Sequence, residues 1–426
     1  MYLGVIADDF TGGTDIAGFL VENGLSVTQY IGVPEGSLNA SGPHAAVISL
    51  KSRSNPAEEA VRESLAALDW LQKQGCKQFF FKYCSTFDST AKGNIGPVTD
   101  ALLAALGQDF TVMAPALPVN GRTVYCGYLF VNGVPLNESG MRNHPLNPMH
   151  DANVMRLTEA QSKGKAANVP AMVVDRGAES IKAAFAELRA EGITYAVPDT
   201  LKYDHLLSLG KAVADMPLVT GGSGLGGGIA AYIAEKHDLC IASGMEAGKP
   251  LGQNCGGGKC VVLSGSASVM TNVQVAAYKN KAEFIGMDVR RCVEGGDAYA
   301  AELASKIASL PKAKYAPLVY ATTGPEELKA IQNEFGVERA GRAVEDTFAS
   351  LAGLLGKEGY DHFIVAGGET SGAVVKALGI KAFHIGPQIA PGVPWVRATD
   401  QPVSLALKSG NFGDEDFFTK AQEFFL

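Results

Sequence analysis

The sequence predicts an α/β protein of two domains, each a mainly parallel sheet flanked by helices. Three observations predict it. Short apolar runs alternate with segments of helical length along nearly the whole chain. The alternation starts afresh near residue 259, after a glycine-rich stretch of poor periodicity. The 426 residues also exceed what one ordinary core accommodates. The boundaries drawn on this basis are 1–237, a hinge linker at 238–258, and 259–426.

Composition narrows the function classes. Apolar residues make up 46% and charged residues 19%, an ordinary globular balance. Net charge is −8, so there is no basic excess to neutralise phosphates, and nucleic acid is not expected as the main partner. The cysteines at 76, 84, 126, 240, 255, 260 and 292 form no CxxC pair and no zinc spacing. A reducing cytoplasm fits them best. No apolar run reaches membrane-spanning length, and Asp8 falls where a secretory signal would be apolar.

The first unit, LGVIADDFTGGTDI at 3–16, sets the pattern. An apolar strand ends in Asp8 and Asp9, a Gly12–Gly13 turn follows, and Thr14 or Asp15 caps a helix. Strand, polar turn and helix build the binding crevice of an open α/β sheet. Two carboxylates there suit proton abstraction or metal holding. The plain alternative is that Asp9 caps the helix and Asp8 bonds loop amides.

Strands follow at SVTQYIG and HAAVISL. The loop after the latter carries Lys51, Arg53 and Asn55, then Pro56 opens a helix to about Gln74. The strand QFFFKY leads into KYCSTFDSTAKGN at 82–94, a hydroxyl-rich loop with Lys82, Asp88 and Lys92 that suits an oxyanion or sugar hydroxyls. Ser89 or Thr90 would cap the next helix. FTVMAPALP is a further strand, with Arg122 beyond it. TVYCGYLF and VPLNES read as a hairpin about Asn132–Gly133. His144 and His150 read as loop residues, since their spacing suits no standard metal site. Strands at AMVVDR, ITYAVPD and MPLVTG alternate with helices near 178–190, 200–214 and from about Gly226. The stretch GGSGLGGG at 221–228 holds a GxGxxG, but no acidic residue follows on a clear second strand. It reads as a glycine turn where backbones approach closely.

The second domain opens with the strand KCVVLSG and a serine turn ahead of a helix, which is a phosphate-binding arrangement. The preceding GGGK lacks phosphate-loop spacing, and Cys260 stands where Ser or Thr is needed. FIGMDV, a helix near 296–310, PLVYATT and a helix from Pro325 follow. The sharpest motif is HFIVAGGETSGAVVKALG at 362–379. Its strand ends at Ala366, Gly367 and Gly368 turn, and Glu369, Thr370 and Ser371 open a helix whose dipole favours negative charge. WVRA and SLALKSG are late strands, and the glycine loop 410–413 suits the border of an adenine or ribose site.

These residues resemble the four-carbon acid sugar kinase family over essentially the whole length. The likeness rests on IADDFTGGTD, KSRSNP, FKYCSTFDSTAKGNIGPV, PALPVNGRT, SGMRNHPLNPM, VTGGSGLG, VVLSGSASVMTN, AGGETSG, IAPGVPW and ALKSGNFG, in that order. The resemblance implies a sugar-acid-binding first domain, a nucleotide-binding second domain, an active site in the cleft between them, and transfer of the ATP γ-phosphoryl group to a terminal hydroxyl. The nearest branch acts on 3-oxo-tetronate, with D-threonate and D-erythronate as alternatives. It also implies ATP contacts at Ser264, Ser266, Gly367, Gly368, Glu369, Thr370 and Gly410. Sister branches carry K-x-D-S-T-x-R-G-N. Here Asp88, Ser89, Thr90, Gly93 and Asn94 match, Lys92 replaces the arginine, and Lys82 is displaced by an insertion.

The expected mechanism is phosphoryl transfer, which needs positioning and charge neutralisation more than covalent chemistry. Asp8 or Asp9 takes the proton of the attacking C4 hydroxyl. Thr11, Arg53, Lys82, Asp88, Lys92 and Arg122 are the substrate-binding set, with arginine suited to a carboxylate. Mg2+ is expected with ATP, its protein ligands are unassigned, and a homo-oligomer is left open. Three rivals remain. An aspartyl phosphatase needs its acids two apart, and Phe10 stands two after Asp8. An NAD-dependent dehydrogenase rests on 222–227 alone. A sugar-acid sensor leaves the second domain's phosphate turns unexplained.

Overall fold

Leu3–Ala7 is buried at all five positions, as a strand covered on both faces requires, and the sheet of the first unit is built around it. The computed structural model describes residues 1–36, 42–143, 147–239, 258–311, 313–321 and 325–424. It resolves into two units, Met1–Gly244 and Met245–Leu426. His144 and most of the expected linker (240–257) lie outside the described residues.

The strands of the first unit are β1 (Leu3–Ala7), β2 (Val27–Ile31), β3 (Ala45–Ser49), β4 (Gln78–Lys82), β5 (Thr111–Ala114), β6 (Arg122–Tyr125), β7 (Tyr128–Val131), β8 (Val134–Pro135), β9 (Ala166–Val169), β10 (Tyr195–Pro198) and β11 (Leu218–Gly221). Its helices are α1 (Phe10–Glu22), α2 (Ala57–Lys73), α3 (Ile95–Ala105), α4 (Val154–Glu159), α5 (Ala171–Val174), α6 (Ala178–Ala190), α7 (Tyr203–Ala212) and α8 (Ser223–Lys236). Eight strands form a parallel sheet in the order β2-β3-β1-β4-β11-β5-β10-β9. The order reverses at β1. Chain leaving β1 runs out to β2 and returns to β3 on one side, then continues from β4 on the other. Ligand crevices of open α/β sheets form at such reversals, beyond the carboxyl ends of the strands. The core beneath α2 and α3 packs Ile6, Phe79, Phe81, Trp70 and Leu102. α2 reaches it with Ala60, Ser64, Ala67, Leu68 and Leu71, the spacing of one helical face.

In the second unit the strands are β12 (Lys259–Ser264), β13 (Phe284–Gly286), β14 (Leu318–Tyr320), β15 (Tyr360–Ala366), β16 (Ala382–Ala390), β17 (Val393–Ala398) and β18 (Ser404–Lys408). Its helices are α9 (Val269–Tyr278), α10 (Val289–Ser309), α11 (Pro325–Phe335), α12 (Val337–Lys357), α13 (Gly368–Ala377) and α14 (Phe417–Gln422). The order is β13-β14-β12-β15-β18-β17-β16, parallel through β18 and antiparallel thereafter. It reverses at β12, as the first sheet does at β1. Val262, Ile364, Trp395, Phe417 and Phe418 form its core.

Four local expectations are corrected. The helix after β1 begins at Phe10, not past the glycines, because the Asp9 side chain accepts from the Gly12 amide and caps it. TVYCGYLF is two strands, since Cys126 and Gly127 both have positive φ and close a tight hairpin; Asn132–Gly133 makes the next turn, from β7 to β8. AMVVDR is helical. Pro170 ends β9 and its fixed φ starts a helical turn. The glycines at 224–228 lie inside α8 rather than in a turn. Asn94 stands at the N-cap position of α3 without a side-chain bond to it, and the Ser89 hydroxyl, as expected, accepts from the first helical amide, Ile95, at 3.4 Å.

Candidate active site

Three strand ends converge at the reversal of the first sheet. β1 delivers Asp8 and Asp9, the turn after β3 delivers Arg53, and β4 ends in Lys82. The Asp8 carbonyl accepts from the amides of Ser52 and Arg53 at 2.9 and 3.1 Å, which fastens the Arg53 turn onto β1. Asn94 fastens it from the other side, its amide group fanning over the carbonyls of Ser52, Arg53 and Asn55 at 2.8, 3.2 and 2.8 Å.

Arg53 is thereby aimed at the acids. Its Nε and Nη2 donate to the two oxygens of Asp8 at 2.9 and 2.8 Å, a bidentate pair. Nη2 also lies 2.9 Å from Asp9 Oδ1, and Nη1 lies 3.8 Å from Asp88. Asp88 accepts from the Thr86 hydroxyl at 2.7 Å. One guanidinium thus holds adjacent carboxylates that would otherwise repel.

The two acids differ. Asp8 is 7% exposed in its side chain, and burial pushes its carboxyl up against the pull of Arg53. Asp9 keeps 26% exposure. Its burial is outweighed by Arg53, Lys82, the Thr11 hydroxyl at 3.0 Å and the Gly12 amide at 2.8 Å, so it is held below the usual range. Gly12 is required here: a Cβ would lie 2.2 Å from Asp9 Oδ1 and 3.1 Å from Lys82 Nζ.

The other expected substrate residues divide. Thr11 spends its hydroxyl on Asp9. Lys82 is buried, donates to the Tyr83 carbonyl at 3.1 Å and lies 3.7 Å from Asp15 Oδ2. Asp15 accepts from Ser223 at the start of α8, while its Oδ1 is buried without a hydrogen-bond partner. Arg122 opens β6. It donates from Nη1 to the Asn120 carbonyl, its Nε is buried without a partner, and its charge bears on Asp15. Lys92 is exposed on its loop.

Three turns meet at the reversal of the second sheet: Ser264–Ser268 after β12, Gly367 after β15, and Ser409–Gly410 after β18. Gly367 has φ +121°, and a Cβ there would crowd Thr370 Oγ1 at 3.0 Å and the Ser266 amide at 3.3 Å. A Cβ on Gly410 would lie 2.6 Å from Ser266 Oγ and 2.8 Å from Ser268 Oγ. α13 opens at Gly367 without a side-chain cap, so its first amides have no acceptor from the helix, an arrangement that suits an anion. Glu369 is exposed at its mouth and Thr370 buried.

Two family models match the chain: "Sugar-binding N-terminal domain" over residues 3–229 and "Nucleotide-binding C-terminal domain" over residues 261–418. The chain belongs to the four-carbon acid sugar kinase family. A 3-oxo-tetronate kinase of Brucella melitensis is 58% identical over 423 residues, spanning 99% of this chain and 95% of its own. One from Actinobacillus succinogenes is 58% identical over the whole of both chains. Among solved structures, a Salmonella typhimurium protein matches with TM-score 0.89 and 54% identity over all of both chains. A Haemophilus influenzae protein matches with TM-score 0.79 and 56% identity, covering 99% of this chain and 100% of its own.

Sequence reasoning did not single out some residues of these two clusters. Asp15 reads as a cap in sequence but is a second, deeper carboxylate beside Lys82. Thr271 and Lys408 tie the three turns of the second unit together from below. For Lys408 a signal existed: a lone lysine closing the otherwise apolar strand SLALK.

Proposed function

We infer that the protein is an ATP-dependent kinase that phosphorylates the C4 hydroxyl of 3-oxo-tetronate. One observation carries this reading: relatives 55–58% identical over 99–100% of the chain are 3-oxo-tetronate kinases. The chemistry of the sites is what such a reaction needs. The first unit supplies a carboxylate with a partly open face, and the second a cradle of amides for phosphates.

Asp9 is the residue assigned to receive the hydroxyl proton. It is the more accessible acid, and Oδ2 has a lone pair beyond the Thr11 bond. Its low pKa is no obstacle, because a loose phosphoryl-transfer transition state asks the base mainly to orient the nucleophile. Asp8 acts through Arg53, whose position it fixes. Arg122, with its unpartnered Nε, is assigned to the substrate carboxylate; Arg53 is already engaged by acids. Mg2+ would accompany ATP in this reading and would offset the charge of its phosphates. Among the described residues no three His, Cys, Asp or Glu side chains gather to hold a metal by themselves. Among them, too, no helix is long and apolar enough to cross a membrane. We assign the activity to the cytoplasm, where ATP is supplied.

The test is ADP release with Mg-ATP across 3-oxo-tetronate, D- and L-threonate, and D- and L-erythronate. The expected outcome is turnover with the keto acid and at most traces with the others. Preference for a threonate or erythronate would move the protein to a sister activity. Release with none of them would overturn the assignment.

A further inference from the structure

Lys408 is the last residue of β18 and is fully buried. Its amine faces three oxygens, to all of which only its charged form can donate at once: the carbonyls of Ser409 and Gly410 at 3.0 and 2.9 Å, and Thr271 Oγ1 in the first turn of α9 at 3.1 Å. Thr271 passes the link on, donating to the Gly410 carbonyl at 2.7 Å and accepting from Ser268 Oγ at 3.0 Å. The Lys408 carbonyl accepts from the Gly367 amide at 2.9 Å. One residue therefore binds all three turns from beneath.

Among the described residues no carboxylate pairs with this amine. On α13, Glu369 is exposed. Ahead of α14, Asp414 pairs with Lys420 and Asp416 with Lys281, while α14 itself presents the Phe417 ring at 5.9 Å. Asp361 and His362 pair with each other at the opposite end of β15, and Arg397 of β17 aligns with Ser404, the far end of β18. α9 turns only the neutral Thr271 and Gln274 toward this region, Gln274 donating to the Phe412 and Asp414 carbonyls. Burial draws the amine from its ordinary 10.5 down to about 7.

A buried cation without a counterion costs free energy, and a polyphosphate laid against the same turns is the counterion it lacks. We propose that Lys408 is a positioning residue that joins the three phosphate turns, and that nucleotide binding is coupled to proton uptake on its amine. The inference rests on the nucleotide reading of this turn cluster. Near pH 8 the free amine is mostly neutral, and bound phosphate favours its charged form, so binding consumes up to one proton. Near pH 6 the amine is already charged and uptake fades.

The experiment is calorimetry of MgADP binding to the full chain in buffers of unlike ionisation enthalpy. The expected result is a buffer-dependent heat at pH 8 that fades at pH 6. Lys408→Met, nearly isosteric, is expected to abolish that dependence and weaken MgADP roughly tenfold or more at pH 7. Lys408→Arg, charged at every pH, is expected to bind without uptake, and it decides the matter if the methionine variant does not fold. MgADP binding whose heat is the same in every buffer at pH 8, or uptake that survives in either variant, overturns the proposal. If the wild-type protein binds no MgADP at all, the nucleotide reading falls first and this inference with it.

Discussion

At the scale of single residues, the first-unit site is a problem of keeping adjacent charges apart in role. Asp8 and Asp9 are neighbours in sequence, yet one is buried against a bidentate arginine while the other caps a helix and stays open. A kinetic split separates the roles assigned here. Asp9→Asn removes the proton acceptor and keeps the Gly12 cap through its amide oxygen, so kcat is expected to fall by about 10²–10⁴ with MgADP affinity retained. Arg122→Met is expected instead to raise KM for the sugar acid with a smaller effect on kcat, because it removes binding common to ground and transition states. Steady-state kinetics with both substrates varied checks the pair. The assignments fail if Asp9→Asn turns over normally, or if Arg122→Met leaves KM unmoved.

At the scale of elements, glycine sets how closely helices pack. α8 holds Gly224, Gly226, Gly227 and Gly228, which is poor for helix formation by about 1 kcal/mol each relative to alanine. Contacts explain them. A Cβ on Gly228 would lie 2.0 Å from the Leu206 carbonyl oxygen, one on Gly226 2.8 Å from Ile16, and one on Gly224 2.8 Å from the Ala116 carbonyl oxygen. Those faces meet protein backbone and core, not a dinucleotide, which removes the footing of the dehydrogenase reading. Gly228→Ala pits helix propensity against this clash. The clash is with backbone of α7 and has nowhere to go, so the variant is expected to lose about 1–3 kcal/mol. A lower urea midpoint at unchanged slope would show it; a raised midpoint would mean that α7 yields.

At the scale of the whole molecule, the two units use one device twice. Each sheet reverses strand order beside its first strand, at β1 and at β12, and each places its polar turns there. Two ligands should therefore leave two separate imprints in amide exchange. MgADP is expected to protect 264–271, 367–371 and 408–411, while the sugar acid protects 8–15, 52–53 and the loop 83–94. Protection by MgADP centred on 222–228 would restore the dinucleotide reading of that stretch.

The sequence by itself determined the α/β class, nearly all the strands, and the strand ends that carry the polar turns. Buried parallel strands are continuous apolar runs, and the polar residues that end them are visible without coordinates. Asp8, Asp9, Arg53 and the Gly367–Thr370 run were legible for that reason. The start of α1 was not, because Asp9 is both strand-end acid and helix cap, and only the Gly12 contact shows which glycines are helical. The tertiary structure alone decided that Arg53 is held by acids while Arg122 keeps an unpartnered Nε, that Asp15 lies under Lys82, and that Lys408 joins three turns. Each of these depends on residues tens to hundreds of positions apart. Local propensity carries no information on such pairings, whereas burial forces every charge among them to find a partner or go without.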